Sequence, residues 1–330
     1  MKTGETYMIN KISVLEVTFF VLLGLGAAAA AERPFPSQPI TCVVPFTPGA
    51  ATDLANRALG SYFQQYLGQP LITLNKPGGG GTSGFFDMVK SNPDGYTLVT
   101  TGATVAMPEL YDYFRKAPFT YEDAAPVAQW SVFVPTIAVR KDAPWNTLKE
   151  FMDDAKTKGL KFGGPGKTAS NYIIGLALAK KYNAKLSGIP FEGDAKSIPA
   201  LLGGHIDMAL LMVASVKPHI SSGTLKLLAV AHNERISDFP NTPTMIEQGY
   251  DVGFGSMPLG TWAPAKTPPE RIKALSDGIR KISEDKSFYD MMGKIGMIVS
   301  YADHETFKKR LDQIKKILTE IFKDLDYLPK

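Results

Sequence analysis

The segment VVPFTPGAATD, residues 43–53, joins two β-branched residues to a Pro-Phe-Thr-Pro-Gly turn and then to a helical pattern. Leu54, Ala55, Ala58, Leu59, Tyr62, Phe63 and Tyr66 recur at helical spacing and Gly68 stops them, while Ile40–Val44 before the turn is β-rich. A strand running through a tight turn into a helix is the unit of an α/β fold. Its turn also has chemistry: first-turn amides lack intrahelical acceptors, and the helix dipole is positive there, so the junction suits a carboxylate.

The grammar repeats outward. Leu71–Leu74 and Tyr96–Thr100, the latter after the turn Asn92-Pro93-Asp94-Gly95, are predicted strands. Val132–Val139 reads as one longer strand, followed by Thr147-Leu148-Lys149-Glu150, a capping box. Leu259–Pro264 and Thr267-Pro268-Pro269-Glu270 repeat that pair, with Pro at the first helical position. Two such units bracketing a central α/β segment predict a middle lobe inserted into an outer one: residues 32–130 with 257–330 as lobe 1, and 131–256 as lobe 2, joined by a two-strand hinge. Phe307, Leu311, Ile314, Leu318, Ile321 and Leu325 form an amphipathic C-terminal helix expected on lobe 1.

Composition sets the class. The chain has 330 residues, 44% apolar and 21% charged, with a net charge of +4 spread along it. Its densest basic run, Lys308 to Lys316, reads as a solvated helix face, since no aromatic-and-basic nucleic-acid motif accompanies it. Lys2 and Lys11 precede the apolar run Val17–Leu25, and Ala29-Ala30-Ala31 precede Glu32, the order of a secretory signal over residues 1–31. Met8 is an alternative start, and the apolar run is shorter than the ~20 residues a spanning helix needs. Export to the periplasm is the expectation.

Several chemistries lack their residues. The single cysteine, Cys42, sits in an apolar strand pattern and reads as a small hydrophobe. His205, His219, His232 and His304 are scattered without metal spacing, and there is no nucleophile elbow, Walker loop or dinucleotide fingerprint. GGGGT at 78–82 lacks the GK[ST] ending and reads as a tight turn. No enzyme activity, metal or cofactor is expected; an exported hydrolase or lyase acting on an organic acid is the alternative from another class.

Seven phrases stand in order along the chain: VPFTPGAATD (44–53), LGQPLITLNKPGGGGTSG (67–84), NPDGYTL (92–98), LKFGGPGKTASN (160–171), IPFEGDAKSIPALLGGHIDMAL (189–210), LLAVAHNERISDFPNTPTMIEQGY (227–250) and GTWAPAKTPPERI (260–272). Together they resemble the extracytoplasmic receptors of the tripartite tricarboxylate transporter family, the Bug-type periplasmic solute-binding proteins. The resemblance implies a two-lobed periplasmic-binding-protein fold of the type II, Venus-flytrap kind, each lobe a mostly parallel sheet flanked by helices. It further implies a monomer that closes over a small organic acid and delivers it to integral membrane permease subunits. A sensory receptor without its own transporter fits the same resemblance.

Candidate ligand-binding residues follow. In lobe 1 they are Phe46, Thr47, Gly49, Ala50, Ala51, Thr52 and Asp53, with Thr101 at the end of the third strand. In lobe 2, Gly166, Lys167, Thr168, Ala169, Ser170 and Asn171 form a second glycine-rich helix start, and the resemblance adds Phe191, Gly193, Asp194 and Asp207. Each aspartate either directs loop donors or serves as a helix cap or turn brace. Three departures bear on the ligand: Ala50 stands where the family commonly has a second glycine, Glu192 replaces a commonly basic residue, and Lys167 adds a cation. Trp130, Trp145 and Trp262 are expected in the core, with Trp262 alternatively a wall of the cleft.

Overall fold

A computed structural model describes residues 34–111, 116–167 and 169–325. The proposed signal segment, residues 1–31, and Thr168 lie outside the described residues. From Gln38 onward the chain forms one compact unit built on two sheets.

The first sheet has the order β11-β4-β10-β3-β1-β2, with β1 Ile40–Val44, β2 Leu71–Asn75, β3 Thr97–Gly102, β4 Ala124–Phe133, β10 Met257–Pro264 and β11 Ile298–Ala302. Its helices are α1 Ala51–Leu67, α2 Thr82–Val89, α7 Pro269–Ser283, α8 Lys286–Lys294 and α9 His304–Asp324. The second sheet, β7-β6-β8-β5-β9, contains β5 Pro135–Arg140, β6 Leu160–Pro165, β7 Leu186–Phe191, β8 Met208–Met212 and β9 Leu225–Val230. Around it lie α3 Leu148–Thr157, α4 Ser170–Lys181, α5 Asp194–Leu202 and α6 Val213–Ser221. This is a two-lobed α/β fold.

Both sheets are mixed, which corrects the expectation of mostly parallel ones. β1 pairs parallel with β2 and β3, and β6 with β7 and β8, but β10 runs antiparallel to β3 and β4, β11 to β4, and β5 to β8 and β9. The antiparallel members include the strands that carry the chain between sheets. The predicted strand over 132–139 is really two, separated at Val134: β4 ends in the first sheet and β5 begins in the second. An apolar run shows burial, and a change of sheet leaves that burial intact.

Register fixes which edges meet. Gly102 lies opposite Leu259 and Phe133 opposite Met257, so β1, β2 and β3 end at the edge from which the chain leaves the first sheet. Pro135 lies opposite Met212 and Thr136 opposite Val230, so β6, β7, β8 and β9 end where it enters the second. The crossing is flanked by packing: Ile173 of α4 joins the core cluster of the first sheet, and Gly296 has no room for a Cβ against Ala214 of α6. Helix α9 packs Phe307, Leu311, Leu318 and Phe322 onto the first core, while Ile321 also touches the second.

Candidate functional site

In an open α/β sheet, ligands lodge at the carboxyl ends of strands, where the chain turns in opposite directions from neighbouring strands. Such switch points occur between β1 and β3 and between β6 and β8. The strands splay there. β1 and β3 pair over Thr41–Val43 only, and β6 and β8 over Phe162 and Gly163 only.

Capping separates these edges from the rest of the molecule. The helices that begin at them, α1, α2, α4, α5 and α6, carry Ala50, Gly81, Ala169, Gly193 and Met212 at their N-caps, and none has a side-chain cap. Away from them, Thr147, Asp285 and Asp303 cap α3, α8 and α9. Helix α7 begins Pro268-Pro269 without a cap; the predicted box at 267–270 does not form, and the Thr267 hydroxyl has no hydrogen-bond partner among the described residues. The other box forms in part: Thr147 Oγ1 accepts the Glu150 amide, but the Glu150 carboxylate accepts from Asn146. An uncapped start leaves first-turn amides open for a ligand.

Around α1 the sequence builds a rigid cradle. Gly49 adopts φ +83, and its amide donates to Asp53 Oδ2 at 2.8 Å. Asp53 also accepts from Asn75 Nδ2 at 2.8 Å and Arg57 Nε at 3.0 Å. Burial would raise the Asp53 carboxyl, but Arg57, the Gly49 amide and Asn75 outweigh it and hold it below its ordinary value. Gly49 therefore shapes the loop while its own N–H is taken. The amides of Ala51, Thr52 and Asp53 have no acceptor among the described residues. Ala50 sits at φ −65, ψ 156, extended backbone open to any residue, so the absent second glycine costs the loop nothing. Thr47 is exposed and accepts the Ala50 amide through its carbonyl; half-buried Phe46 accepts from Asn75 Nδ2 through its own. Thr101, fully buried, has a hydroxyl without a partner among the described residues.

The second switch point repeats the device. Gly166 turns the chain at φ +71 and accepts the Ala169 amide; the Ser170 and Asn171 amides have no acceptor among the described residues. Asn171 is buried and donates from Nδ2 to Leu210 O at 2.9 Å. Lys167 is exposed, as is Glu192. Gly193 takes φ +125, letting Asp194 reach from β7's end to accept the Met212 amide at 2.9 Å. Burial pushes the Asp194 carboxyl up, against the Met212 amide and Ser215 hydroxyl. Phe191 packs its ring near Gly163.

Asp207 does not join them. It precedes β8 at the opposite edge, where Oδ2 accepts the Lys161 amide at 2.7 Å and its own amide donates to Lys161 O. Five residues of strand, about 16 Å, separate it from Met212. Its role is to brace the sheet's edge. Trp262 is likewise core, fully buried between Phe85 and Phe307. A cavity of about 560 Å³ at the far edge of the first sheet is floored by Ala124, Ala125, Pro126 and Ile272. Lys308 and Asp312 pair at its rim, and the uncapped helix start that reaches it opens on Pro269, which has no N–H. It offers an anion little.

Sequence comparison agrees with this geometry: residues 55–326 match the tripartite tricarboxylate transporter family receptor. The chain belongs to that receptor family. One relative, the UPF0065 protein in the gbd 5' region of Cupriavidus necator, is 32% identical over 89% of this chain and 93% of its own. A TctC solute-binding protein from Polaromonas, solved without ligand, superposes with a TM-score of 0.77 at 31% identity, over 88% of this chain and 99% of its own. MatC from Rhodopseudomonas palustris, solved with bound malate, shares the fold with a TM-score of 0.69 at 24% identity, over 89% of this chain and 100% of its own. Within this receptor family, then, the chain sets uncapped helix starts at the ends of both sheets.

Proposed function

We propose that this receptor binds a small organic carboxylate between its two lobes, in the periplasm, and hands it to integral membrane permease subunits without transforming it. The observation that carries this reading is the distribution of caps: every helix starting at the strand ends beside the crossing is uncapped, whereas of the four described helices that start elsewhere α3, α8 and α9 are capped and α7 opens on Pro268-Pro269. The malate held by MatC and the family's name support the ligand class. We place lobe 1 at residues 32–130 with 257–330, lobe 2 at 131–256, and the exported chain's start near Glu32.

The energetics require both lobes. A helix dipole contributes roughly 0.3–1 kcal/mol, up to about 2 when partly buried, whereas micromolar binding takes about 8 kcal/mol. Hydrogen bonds from amides to a charged group, about 1.5–3 kcal/mol each, must supply most of the difference. Donors at α1 and α4 engage one ligand only when the lobes close, so the ligand favours the closed state by its differential affinity.

A thermal-shift screen tests this. A carboxylate at a hundredfold excess over its dissociation constant adds about 2.7 kcal/mol of stability. A shift with an acid and none with its amide is expected; shifts with uncharged compounds alone, or turnover of the bound acid, would refute the reading.

A further inference from the structure

The end of β8 holds two buried acceptor oxygens with no donor among the described residues. Asn171 Nδ2 donates to the Leu210 carbonyl, which can only accept, so the orientation of that amide is fixed and Oδ1 is left over. Asp194 Oδ2 accepts from the Met212 amide, which can only donate; the Ser215 hydroxyl also favours this carboxylate but closes no hydrogen bond to Oδ1. Neither remaining oxygen has a hydrogen-bond partner among the described residues. The two side chains come from different helices, α4 and α5, yet grip the same strand two residues apart, roughly 6.6 Å. They do so where β8 has parted from β6, since the last ladder pair between them is Gly163 with Ala209. Leaving a buried acceptor without a donor is costly, so a donor brought by a ligand or by water is favoured there.

Resting on the carboxylate reading above, we infer that the ligand also carries a hydrogen-bond donor, a hydroxyl or an ammonium, which Asn171 Oδ1 and Asp194 Oδ1 accept while the amides at α1 and α4 hold its carboxylate. The site then discriminates by a difference: an unsubstituted acid leaves both oxygens unsatisfied and is rejected, as binding sites with unpaired polar groups reject analogues that lack the matching group. Exposed Glu192, two residues before Asp194, adds negative charge at the same rim.

Calorimetric titration of the purified protein with matched acids tests the inference. One set is succinate, malate and aspartate; another is propanoate, lactate and alanine. In at least one set, a hydroxy or amino acid is expected to bind tenfold or more tightly than its unsubstituted partner, and which one does so identifies the donor. Asp194→Asn keeps an oxygen for the Met212 amide but turns the free position into a donor, so it should cut that preference at least fivefold. Unsubstituted acids binding as well as substituted ones would overturn the inference and leave the carboxylate reading standing, as would a preference unchanged in a folded Asp194→Asn. Were no carboxylate to bind, in these sets or in the wider screen, the reading beneath it would fall too. The wild-type comparison decides by itself if the variant does not fold.

Discussion

The Asp53 carboxylate accepts the amide of Gly49 at 2.8 Å, four residues back across the turn that ends β1. That bond closes the loop around the start of α1 and withdraws Gly49 from the donors a ligand can use. Arg57 adds an ion pair but is half exposed at 51%, so it contributes about 0.3–0.5 kcal/mol, and the Gly49 and Asn75 hydrogen bonds dominate. Asp53→Ala should therefore destabilise by about 2 kcal/mol. Because the folded carboxyl lies below its ordinary value, its contribution is present above that value and lost as pH falls through the folded one. Thermal unfolding of wild type and Asp53→Asn from pH 7 to 3 should show a constant gap that narrows only below about pH 4.

A second pH dependence lies at the return crossing. His232 Nδ1 and Ser256 Oγ are 2.9 Å apart, and Gly255 presses so closely on Ala231 O that a Cβ would lie 2.6 Å from it. Burial lowers the His232 pKa, with Glu234 opposing. A histidine so depressed contributes nothing above its ordinary value and destabilises the fold as pH drops below it, because the unfolded chain then binds the proton more readily. Wild type should lose stability as pH falls below about 6.5, and His232→Asn should lack that loss. Identical pH profiles would remove His232 from the account.

Cys42 should be silent. Its thiol is fully buried, 3.2 Å from Asn56 Oδ1 and 3.3 Å from Thr100 Oγ1, and burial pushes its pKa up to about 12. Thiol reagents at pH 8 should leave the native protein unlabelled and modify one equivalent in guanidinium. Rapid native labelling would mean the first sheet opens at this point.

Much of the fold was legible because strand-to-helix junctions have local signatures: β-branched residues, turn residues, apolar periodicity. Both glycine-rich helix starts were found that way. The break at Val134 was not, since both sides of it are equally apolar. Asp207 entered through the resemblance alone, and the structure sets it just before β8, at the opposite edge from the strand ends that carry the other candidates. The bond from Asp194 to Met212 spans 18 residues and depends on how β7 and β8 sit about β6. Thr267 reads as a cap, but two prolines follow it and the second has no amide to offer.

The claim that open helix-start amides hold a carboxylate is tested most directly by Ala51→Pro. Ala51 is exposed and is the first residue of α1, where proline is favoured, and Ala50 already has the extended backbone a residue before proline prefers. The change removes one N–H and little else. Calorimetry with a carboxylate that stabilises the wild type should show binding weakened tenfold or more, the loss of one hydrogen bond to a charged group, with the melting temperature unchanged or raised. An unchanged dissociation constant in this folded variant would contradict the account.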